Sequence, residues 1–275
     1  LEGTARIVGS ESIEIAEGKS AGSYSAKEII IATGSKPVEL PFLPFYGQHI
    51  VHSDHGIAFD EVPKKMAVIG AGAIGMELGC VWSRLGADVE IIEFLPEICP
   101  QLDPEMSKVA RKIFEKQGLT FRLSTKVTAA KIAKGKATLT VEGKEGTDKL
   151  TVDRVLVAVG RGPCTDGLGL EEAGISLDER GRVSVDHTFT TNISGIRAIG
   201  DVIHGPVLAQ KAGEDGVAGA GLGAGRSGQV NYDMVPGVIY VDPEIANVGL
   251  SESQAKAKGL EVRCGSFPMA ANGRA

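Results

Sequence analysis

Three glycines and one glutamate carry the strongest chemical signal in this sequence. Gly70, Gly72 and Gly75 stand directly after an apolar run at residues 66–69, and Glu93 ends the next apolar run. In this spacing the first glycine permits a sharp turn, the second lets backbone approach a pyrophosphate, and the third lets a helix pack on a strand. A carboxylate at the end of the following strand can accept hydrogen bonds from both hydroxyls of a ribose. These residues therefore predict a dinucleotide site, and Glu93 favours NAD over NADP because it would repel a 2′-phosphate.

The segments around these residues have the order that such a site requires. The apolar run is followed by a helical pattern at residues 73–85, a break at Gly86 and a second apolar run, which is the size and order of a βαβ unit. A helix beginning near Ala73 would direct its free N–H groups and the positive end of its dipole towards phosphates. The alternative interpretation is an ordinary strand-to-helix turn.

A second copy of the glycine spacing occurs at Gly223, Gly225 and Gly228. No β-type run precedes it and no helical pattern follows it, so we interpret it as a flexible glycine-rich connection.

Composition restricts the possible partners. The chain has 275 residues, of which 43% are hydrophobic and 23% charged, with a net charge of −6 and no basic cluster. This length suffices for one large or two ordinary domains. The charge balance argues against nucleic acid and anionic membrane surfaces as partners, and no apolar run is long enough to span a membrane.

The four cysteines, at positions 80, 99, 164 and 264, form neither a C-x-x-C nor a C-x-x-x-x-C pair. Metal-ligand spacing is therefore absent, and we expect no metal site. Cys80 lies in the helical pattern of the βαβ unit and is expected to be a small core residue. A reducing compartment is the default expectation.

Three further β-type segments end in residues that suit a ligand. Residues 24–32 lead into a turn of small residues, residues 154–160 end at Arg161, and residues 196–201 end at Asp201. Ligands of α/β sheets collect at such carboxyl ends. Arg161 could contact a nucleotide or cap a loop, and Asp201 could accept a sugar or ribitol hydroxyl or cap a helix.

Other patterns predict the surrounding elements. We expect a helix at residues 104–116 capped by Asp103, and a half-exposed antiparallel meander through residues 120–127, 137–142 and 150–152. Residues 168–173 and 251–258 are predicted to be helices, and residues 261–267 a strand.

Four segments in order, ATGS at residues 32–35, GAGAIGMELG at 70–79, VGR at 159–161 and AIGD at 198–201, resemble the flavoprotein disulfide reductases. The resemblance extends from Gly3 to Ala275. It implies an α/β fold with Rossmann-like FAD/NAD(P)-binding domains of the three-layer ββα type, followed by the start of an α+β interface or dimerisation domain. The implied division is part of an FAD-binding domain at residues 1–58, an NAD-binding domain at 59–183, a return segment of the FAD-binding domain at 184–232, and an incomplete interface domain at 233–275.

The resemblance also implies two cofactors and the residues that bind them. Within the NAD set, Val127 would lie near the adenine and Gly160 on the nicotinamide side, while Ile74 and Glu77 would lie close to the nicotinamide and the flavin. Asp201 would bind the FAD ribitol. The residues implied for NAD are Gly70, Ala71, Gly72, Ala73, Ile74, Gly75, Met76, Glu77, Glu93, Val127 and Gly160, and those implied for FAD are Gly3, Thr33, Gly34, Ser35, Asp201, Val207, Leu208, Ala209 and Gln210.

The activity implied is oxidation of dihydrolipoamide carried on a lipoyl domain, with electrons passing through an active-site disulfide and FAD to NAD. Such an enzyme is a homodimer, works within 2-oxo acid dehydrogenase complexes, and resides in the mitochondrial matrix or the bacterial cytoplasm. Two alternatives stay open. One is an NAD-linked sister disulfide reductase or an NADH oxidase, and the other is a non-catalytic NAD-binding module.

Three motifs of the family pattern are missing from this sequence. An opening G-x-G-x-x-G segment, a C-x-x-x-x-C redox pair and a His-x-x-x-x-Glu pair are absent from these residues. We therefore expect an internal portion of the enzyme that contains no catalytic residue and is inactive by itself. Gln210 stands where the family usually has a histidine beside the flavin, and it cannot titrate.

Overall fold

The computed structural model describes residues 1–45 and 47–274, and it forms two compact units. One unit contains residues 1–59 and 156–237, and the other contains residues 60–155 and 238–275. Tyr46, in the proline-containing stretch after the ATGS segment, and Ala275, the last residue of the predicted interface segment, lie outside the described residues. The predicted division of the chain by cofactor stays a prediction.

Strands outnumber helices among the described residues and often follow one another without a helix between them. In the amino-terminal half they are β1 (Ala5–Gly9), β2 (Ser12–Ile15), β3 (Gly22–Ser25), β4 (Ile29–Ile31), β5 (Ser35–Pro37), β6 (Ile50–Val51), α1 (Ser53–Gly56), β7 (Lys65–Ile69), α2 (Ala73–Arg84), β8 (Asp88–Ile92), α3 (Pro104–Lys116), β9 (Thr120–Arg122) and β10 (Lys126–Ala133). They continue with β11 (Lys136–Gly143), β12 (Gly146–Val152), β13 (Arg154–Val157), β14 (Arg161–Pro163), β15 (Ile196–Ala198), α4 (Ala209–Gly223), β16 (Gly237–Ile239), β17 (Ile245–Asn247) and α5 (Glu252–Ala257), with 3-10 turns at Gly200–Val202, Tyr232–Met234 and Met269–Ala271.

A parallel sheet organises the unit of residues 60–155 and 238–275. Strand β7 pairs in parallel with β8, and β8 pairs in parallel with β9. The side chains of Met66, Ala67 and Val68 are fully buried, as expected for a parallel strand covered on both faces. Helix α2 forms the crossover between β7 and β8, so the predicted βαβ unit is confirmed.

The predicted meander is also present, as the antiparallel sheet β10–β11–β12. Ala137, Leu139 and Val141 alternate with less buried residues along β11, which is the pattern of a sheet with one covered face. Residues 120–122 instead form β9 of the parallel sheet, so the first predicted strand of the meander begins later, at Lys126.

Among the described residues, three small sheets and a core helix lie in the other unit, and the first of these sheets is the antiparallel β1–β2–β3. Strand β15 pairs in parallel with β4, and β14 pairs antiparallel with β5. These pairs bring the ends of strands distant in sequence to one place. Beneath them lies a cluster of buried residues, including Ile7, Ile31, Phe189, Ile196 and Ala218 of α4.

Three of the predicted elements are wrong. Residues 24–32 form the two strands β3 and β4, which belong to different sheets. Residues 168–173 form bends and turns, and Gly169 within them has φ +70°, which a right-handed helix does not accommodate. Residues 261–267 are exposed and pair with no strand among the described residues, so their β-type composition is not sufficient to form one.

Helix α3 begins at Pro104 as predicted, but the expected cap is used differently. Asp103 Oδ1 accepts a hydrogen bond from the backbone N–H of Glu252, 2.8 Å away, and its side chain makes no hydrogen bond to α3. At α5 the predicted cap is confirmed, since Ser251 and Gln254 form a capping box.

Candidate functional site

The turn between β7 and α2 has the geometry that the glycine spacing predicts. Gly70 has φ +102°, a conformation that side chains rarely adopt, and its N–H donates to Ile92 O at 2.9 Å. Helix α2 begins at Ala73 with Gly72 as its N-cap, and no side chain caps it. The amino-terminal turn of the helix therefore keeps N–H groups that can bind an anion.

Gly72 and Gly75 differ in what surrounds them. A Cβ on Gly75 would lie 2.0 Å from the carbonyl oxygen of Gly70, so this glycine is required for contact between helix and turn. A Cβ on Gly72 would meet nothing within 4 Å. The backbone of Gly72 thus borders open space at the start of a helix, which fits a pyrophosphate.

Glu93 lies where predicted, one residue after β8, but its carboxylate binds backbone. It is 8% exposed. One oxygen accepts from Ala71 N at 2.6 Å and the other from Leu95 N at 2.8 Å. Glu93 therefore ties the loop after β7 to the loop after β8, a role that its position in the sequence did not indicate. Each oxygen has a further lone pair with which it could accept a ribose hydroxyl.

The remaining residues predicted for NAD belong to three different parts of the chain. Residues 70–77 form one continuous turn and helix start, where Glu77 accepts a hydrogen bond from Tyr240 N at 2.9 Å. Val127 lies on β10 and is 7% exposed. Gly160 belongs to the other compact unit, with φ +117°, and its carbonyl accepts from Val38 N at 3.1 Å. The roles predicted for Val127 and Gly160 stay predictions.

A second site lies in the unit of residues 1–59 and 156–237. It is a cavity of about 380 Å³ at the carboxyl ends of β4 and β15 and the start of α4. Five of the residues predicted for FAD line it. The lining residues are Ala32, Gly34, Arg161, Ile199, Gly200, Asp201, Val207, Leu208, Ala209 and Ala212.

A chain of hydrogen bonds crosses this cavity wall. The Ser35 hydroxyl donates to Asp201 Oδ2 at 2.6 Å, and Arg161 Nε donates to Ser35 Oγ at 2.8 Å. A second guanidinium nitrogen of Arg161 donates to Ser35 O at 2.5 Å. Arg161, left open between two roles by its sequence position, thus both lines the cavity and holds Ser35 at the start of β5.

The cavity fits a flavin dinucleotide in its donor set. It combines a carboxylate suited to ribitol hydroxyls with the uncapped start of α4, where Leu208 is the N-cap and its side chain makes no capping hydrogen bond. Such a helix start suits a pyrophosphate. Ala32 of the ATGS segment and Ala212, which the sequence did not indicate, contribute small side chains that leave room for a ligand.

Three residues predicted for FAD are used elsewhere in the structure. Gly3 packs on the β1–β2 hairpin, where a Cβ would lie 2.4 Å from Ile15 Cγ2. The Thr33 hydroxyl donates to Cys164 O at 2.6 Å. The Gln210 side chain donates to Pro236 O at 2.7 Å. None of the three is among the residues that line the cavity, and their contacts with FAD stay predictions.

The cysteines offer no reactive pair among the described residues. Burial raises the pKa of Cys80 to about 11 and that of Cys99 to about 12, so both thiols stay protonated and poorly nucleophilic at neutral pH. Cys80 is a core residue, as predicted. In the described part of the chain, no three histidine, cysteine or acidic side chains are grouped so as to hold a metal ion.

The second glycine spacing ends a helix. Gly223 is the last residue of α4, and a Cβ on Gly228 would lie 2.7 Å from the carbonyl oxygen of Ala218. No strand leads into this segment. Across residues 1–45 and 47–274, none of the helices has the length and apolar character needed to cross a membrane.

Several curated proteins are similar to this chain in sequence. The chain is 47% identical over 266 residues to mitochondrial dihydrolipoyl dehydrogenase of Pisum sativum, covering 96% of this chain and 53% of that protein. It is 44% identical over 278 residues to dihydrolipoyl dehydrogenase 3 of Pseudomonas putida, covering 100% of this chain and 59% of that protein. It is also 49% identical over 251 residues to leghemoglobin reductase of Vigna unguiculata, covering 90% and 48%. The chain thus spans about half the length of the curated relatives it matches.

The fold has known counterparts too. The HOCl-induced flavoprotein disulfide reductase RclA from Escherichia coli superposes with a TM-score of 0.86 at 26% identity, covering 100% of this chain and 62% of that one. The sequence model of the pyridine nucleotide-disulphide oxidoreductases matches residues 2–216, and that of their dimerisation domain matches residues 235–275. The chain therefore belongs to the pyridine nucleotide-disulphide oxidoreductase family.

Proposed function

We propose that this chain is the nucleotide-binding part of a dihydrolipoyl dehydrogenase, which oxidises dihydrolipoamide on a lipoyl domain with NAD. The observation that carries the proposal is the cavity at Asp201, because five residues that the flavoprotein resemblance implies for FAD line it together. The names of relatives at 44% and 47% identity support the choice of substrate.

Within the proposal, residues 59–183 bind NAD. The uncapped start of α2 and the open space at Gly72 hold the pyrophosphate. Glu93 keeps the Ala71 peptide in place and accepts the ribose hydroxyls with its remaining lone pairs. Ile74 and Glu77, in the first turns of α2, lie near the nicotinamide half, while the buried Met76 packs beneath them.

Residues 1–58 and 184–232 hold FAD in the same proposal. Asp201 accepts hydroxyls of the ribitol, and residues 207–210, which lead into and begin α4, contact FAD. Arg161 and Ser35 orient the Asp201 carboxylate through their hydrogen bonds. FAD, when bound, supplies electron transfer between a dithiol–disulfide pair and NAD, while these residues bind and orient it.

The overall reaction converts a dithiol into a disulfide. Dihydrolipoamide loses two electrons and two protons as its S–S bond forms, NAD⁺ takes up a hydride, and one proton passes to solvent. The buried thiols of Cys80 and Cys99 are unsuited to the exchange steps, and no two of the four cysteines have C-x-x-x-x-C spacing. Since the chain spans about half the length of its relatives, we assign the redox disulfide to sequence outside these residues.

The oligomeric state and the cellular compartment are inferred from the family match and the relatives. The match of residues 235–275 to a dimerisation domain supports a homodimer. We further propose service in a 2-oxo acid dehydrogenase complex, in the mitochondrial matrix or the bacterial cytoplasm, since the named relatives include a mitochondrial and a bacterial protein.

The test is a visible absorption spectrum of the purified full-length gene product, followed by a steady-state assay of NAD reduction. We expect flavin bands and reduction of NAD with dihydrolipoamide. A colourless protein would contradict the FAD site. A yellow protein that reduces no NAD with dihydrolipoamide would contradict the substrate and favour a sister disulfide reductase.

A further inference from the structure

Helix α4 contains a fully buried ion pair that the proposed chemistry does not use. Lys211 and Asp215 lie one turn apart, both side chains are 0% exposed, and Nζ stands 2.7 Å from Oδ2. Burying two charges carries a desolvation cost that a single ion pair seldom recovers. Such a pair persists when further hydrogen bonds satisfy it, so its other partners indicate its role.

Those partners are the backbone of the turn that precedes Asp201. Lys211 Nζ donates to Gly200 O at 2.8 Å, and Gly200 N donates to Asp215 Oδ2 at 3.1 Å. The ion pair thus holds Gly200 by both its carbonyl and its N–H. Gly200 has φ +75°, and the residue that follows it is Asp201 on the cavity wall.

Tyr232 completes the network from outside the cavity. Its hydroxyl donates to Asp215 Oδ1 at 3.0 Å, and its ring centre lies 5.1 Å from Lys211 Nζ. Tyr232 is not among the cavity-lining residues. Burial and the bond to Asp215 raise the pKa of Tyr232, so the hydroxyl remains a donor at neutral pH.

We propose that Lys211, Asp215 and Tyr232 form a positioning network for the Gly200–Asp201 turn, through which the Tyr232 hydroxyl raises the affinity for FAD without touching it. The inference rests on the proposed function, since it concerns the same FAD site. Physically, the network restricts the turn to the conformation in which Asp201 faces the cavity. Without it, part of the binding free energy of the cofactor must order the turn, and the apparent affinity falls.

The first variant to test is Tyr232→Phe, which removes one hydrogen bond and keeps the ring. We expect the Kd for FAD, measured by flavin-fluorescence titration of the apoprotein of the full-length gene product, to rise about fivefold or more. The matched control is Tyr24→Phe, since the Tyr24 hydroxyl also donates a single bond, to Ser20 O at 2.9 Å, on β3 of the same unit. The control should lower the free energy of unfolding and leave the Kd for FAD unchanged.

A second variant separates positioning from stability. Replacing a buried ion pair by apolar residues of similar volume is often neutral or stabilising. The double variant Lys211→Met with Asp215→Leu removes both charges together and so leaves no unpaired buried charge, although it also takes away the partners of the Gly200 N–H and carbonyl. Its fold is checked by circular dichroism and urea denaturation, and in the folded variant the Kd for FAD should rise at least as much as that of Tyr232→Phe. NAD affinity, measured by calorimetry, should stay unchanged in both variants.

The outcomes distinguish the two proposals. If the unmodified protein binds no FAD, the proposed function fails and the inference fails with it. If the unmodified protein binds FAD and both variants bind it equally well, the network only stabilises the fold and the inference alone is overturned. A rise in Kd that Tyr24→Phe reproduces would also overturn it.

Discussion

Gly75→Ala isolates the contact on which the β7–α2 turn depends. The new Cβ would stand 2.0 Å from the carbonyl oxygen of Gly70 and 3.2 Å from Val68 Cγ1, and real Cβ atoms essentially never approach within 3.0 Å of another heavy atom. The nearest atom is backbone, so no side-chain rotation can relieve the clash. Either α2 must move away from β7 or the Gly70 peptide must rotate.

Two opposing effects set the change in the free energy of unfolding that Gly75→Ala causes. Alanine in a helix is more favourable than glycine by about 1 kcal/mol. Forcing extra volume into a well-packed contact costs about 1–3 kcal/mol, and more where backbone must move. Because the obstacle here is a carbonyl oxygen, we place the cost at or above the upper end, about 3 kcal/mol. The net expectation is a loss of about 2 kcal/mol in the free energy of unfolding.

The same helix offers a control with the same substitution. A Cβ on Gly79, one turn later in α2, would lie 3.3 Å from Ile91 Cδ1, the mobile end of a side chain. Gly79→Ala should therefore be close to neutral or slightly stabilising. Urea denaturation of both variants measures the difference, and calorimetry should find weaker NAD binding for Gly75→Ala alone. If Gly75→Ala were as stable as Gly79→Ala, the contact between turn and helix would not be what requires glycine.

Three further predictions concern single residues. Gly72→Ala should change the free energy of unfolding by less than about 1 kcal/mol, because the site is open, yet weaken NAD binding about tenfold or more; equal affinity in calorimetry would contradict a pyrophosphate there. Glu93→Gln should lower stability by about 1.5–3 kcal/mol, since its amide can accept only one of the two backbone N–H groups it now holds; an unchanged urea midpoint would refute this. Partial burial by itself would raise the pKa of Asp178, but hydrogen bonds from the Arg182 backbone and guanidinium and from the Arg180 backbone outweigh it and hold that pKa below its usual range. The folded protein therefore binds fewer protons at Asp178 than the unfolded chain, so the stability lost in Asp178→Asn should be full at pH 7 and shrink as pH falls below the unfolded-state pKa of about 3.9 towards the lower folded-state pKa; a difference that kept its pH 7 size throughout this fall in pH would contradict the assignment.

Helix α3 shows where local patterns lose precision. Its bounds follow from Pro104 and from Gly118, which has φ +102°, and both are visible in the sequence. The face of the helix that is buried cannot be seen in the sequence. Met106 and Val109 are 49% and 45% exposed, whereas the residues that pack inward include Ser107, Ala110 and Phe114. The neighbouring elements decide which face is covered, and apolar composition within the helix does not record them.

The sequence by itself determined the βαβ unit and its glycine turn, because each requirement there is local. A positive φ at Gly70, an uncapped helix start at Gly72 and a close contact at Gly75 depend on residues only a few positions apart. The order of segments also sufficed to indicate the family and the residues around Asp201.

Only the tertiary structure decided how the functional side chains are held. Arg161, Ser35 and Asp201 form one hydrogen-bonded chain although Ser35 is 126 and 166 positions from its two partners. The same holds for Glu93, whose carboxylate binds the Ala71 backbone 22 positions earlier. A hydrogen bond requires two atoms within about 3 Å, and for residues so far apart in the chain that distance is set by the packing of strands and helices.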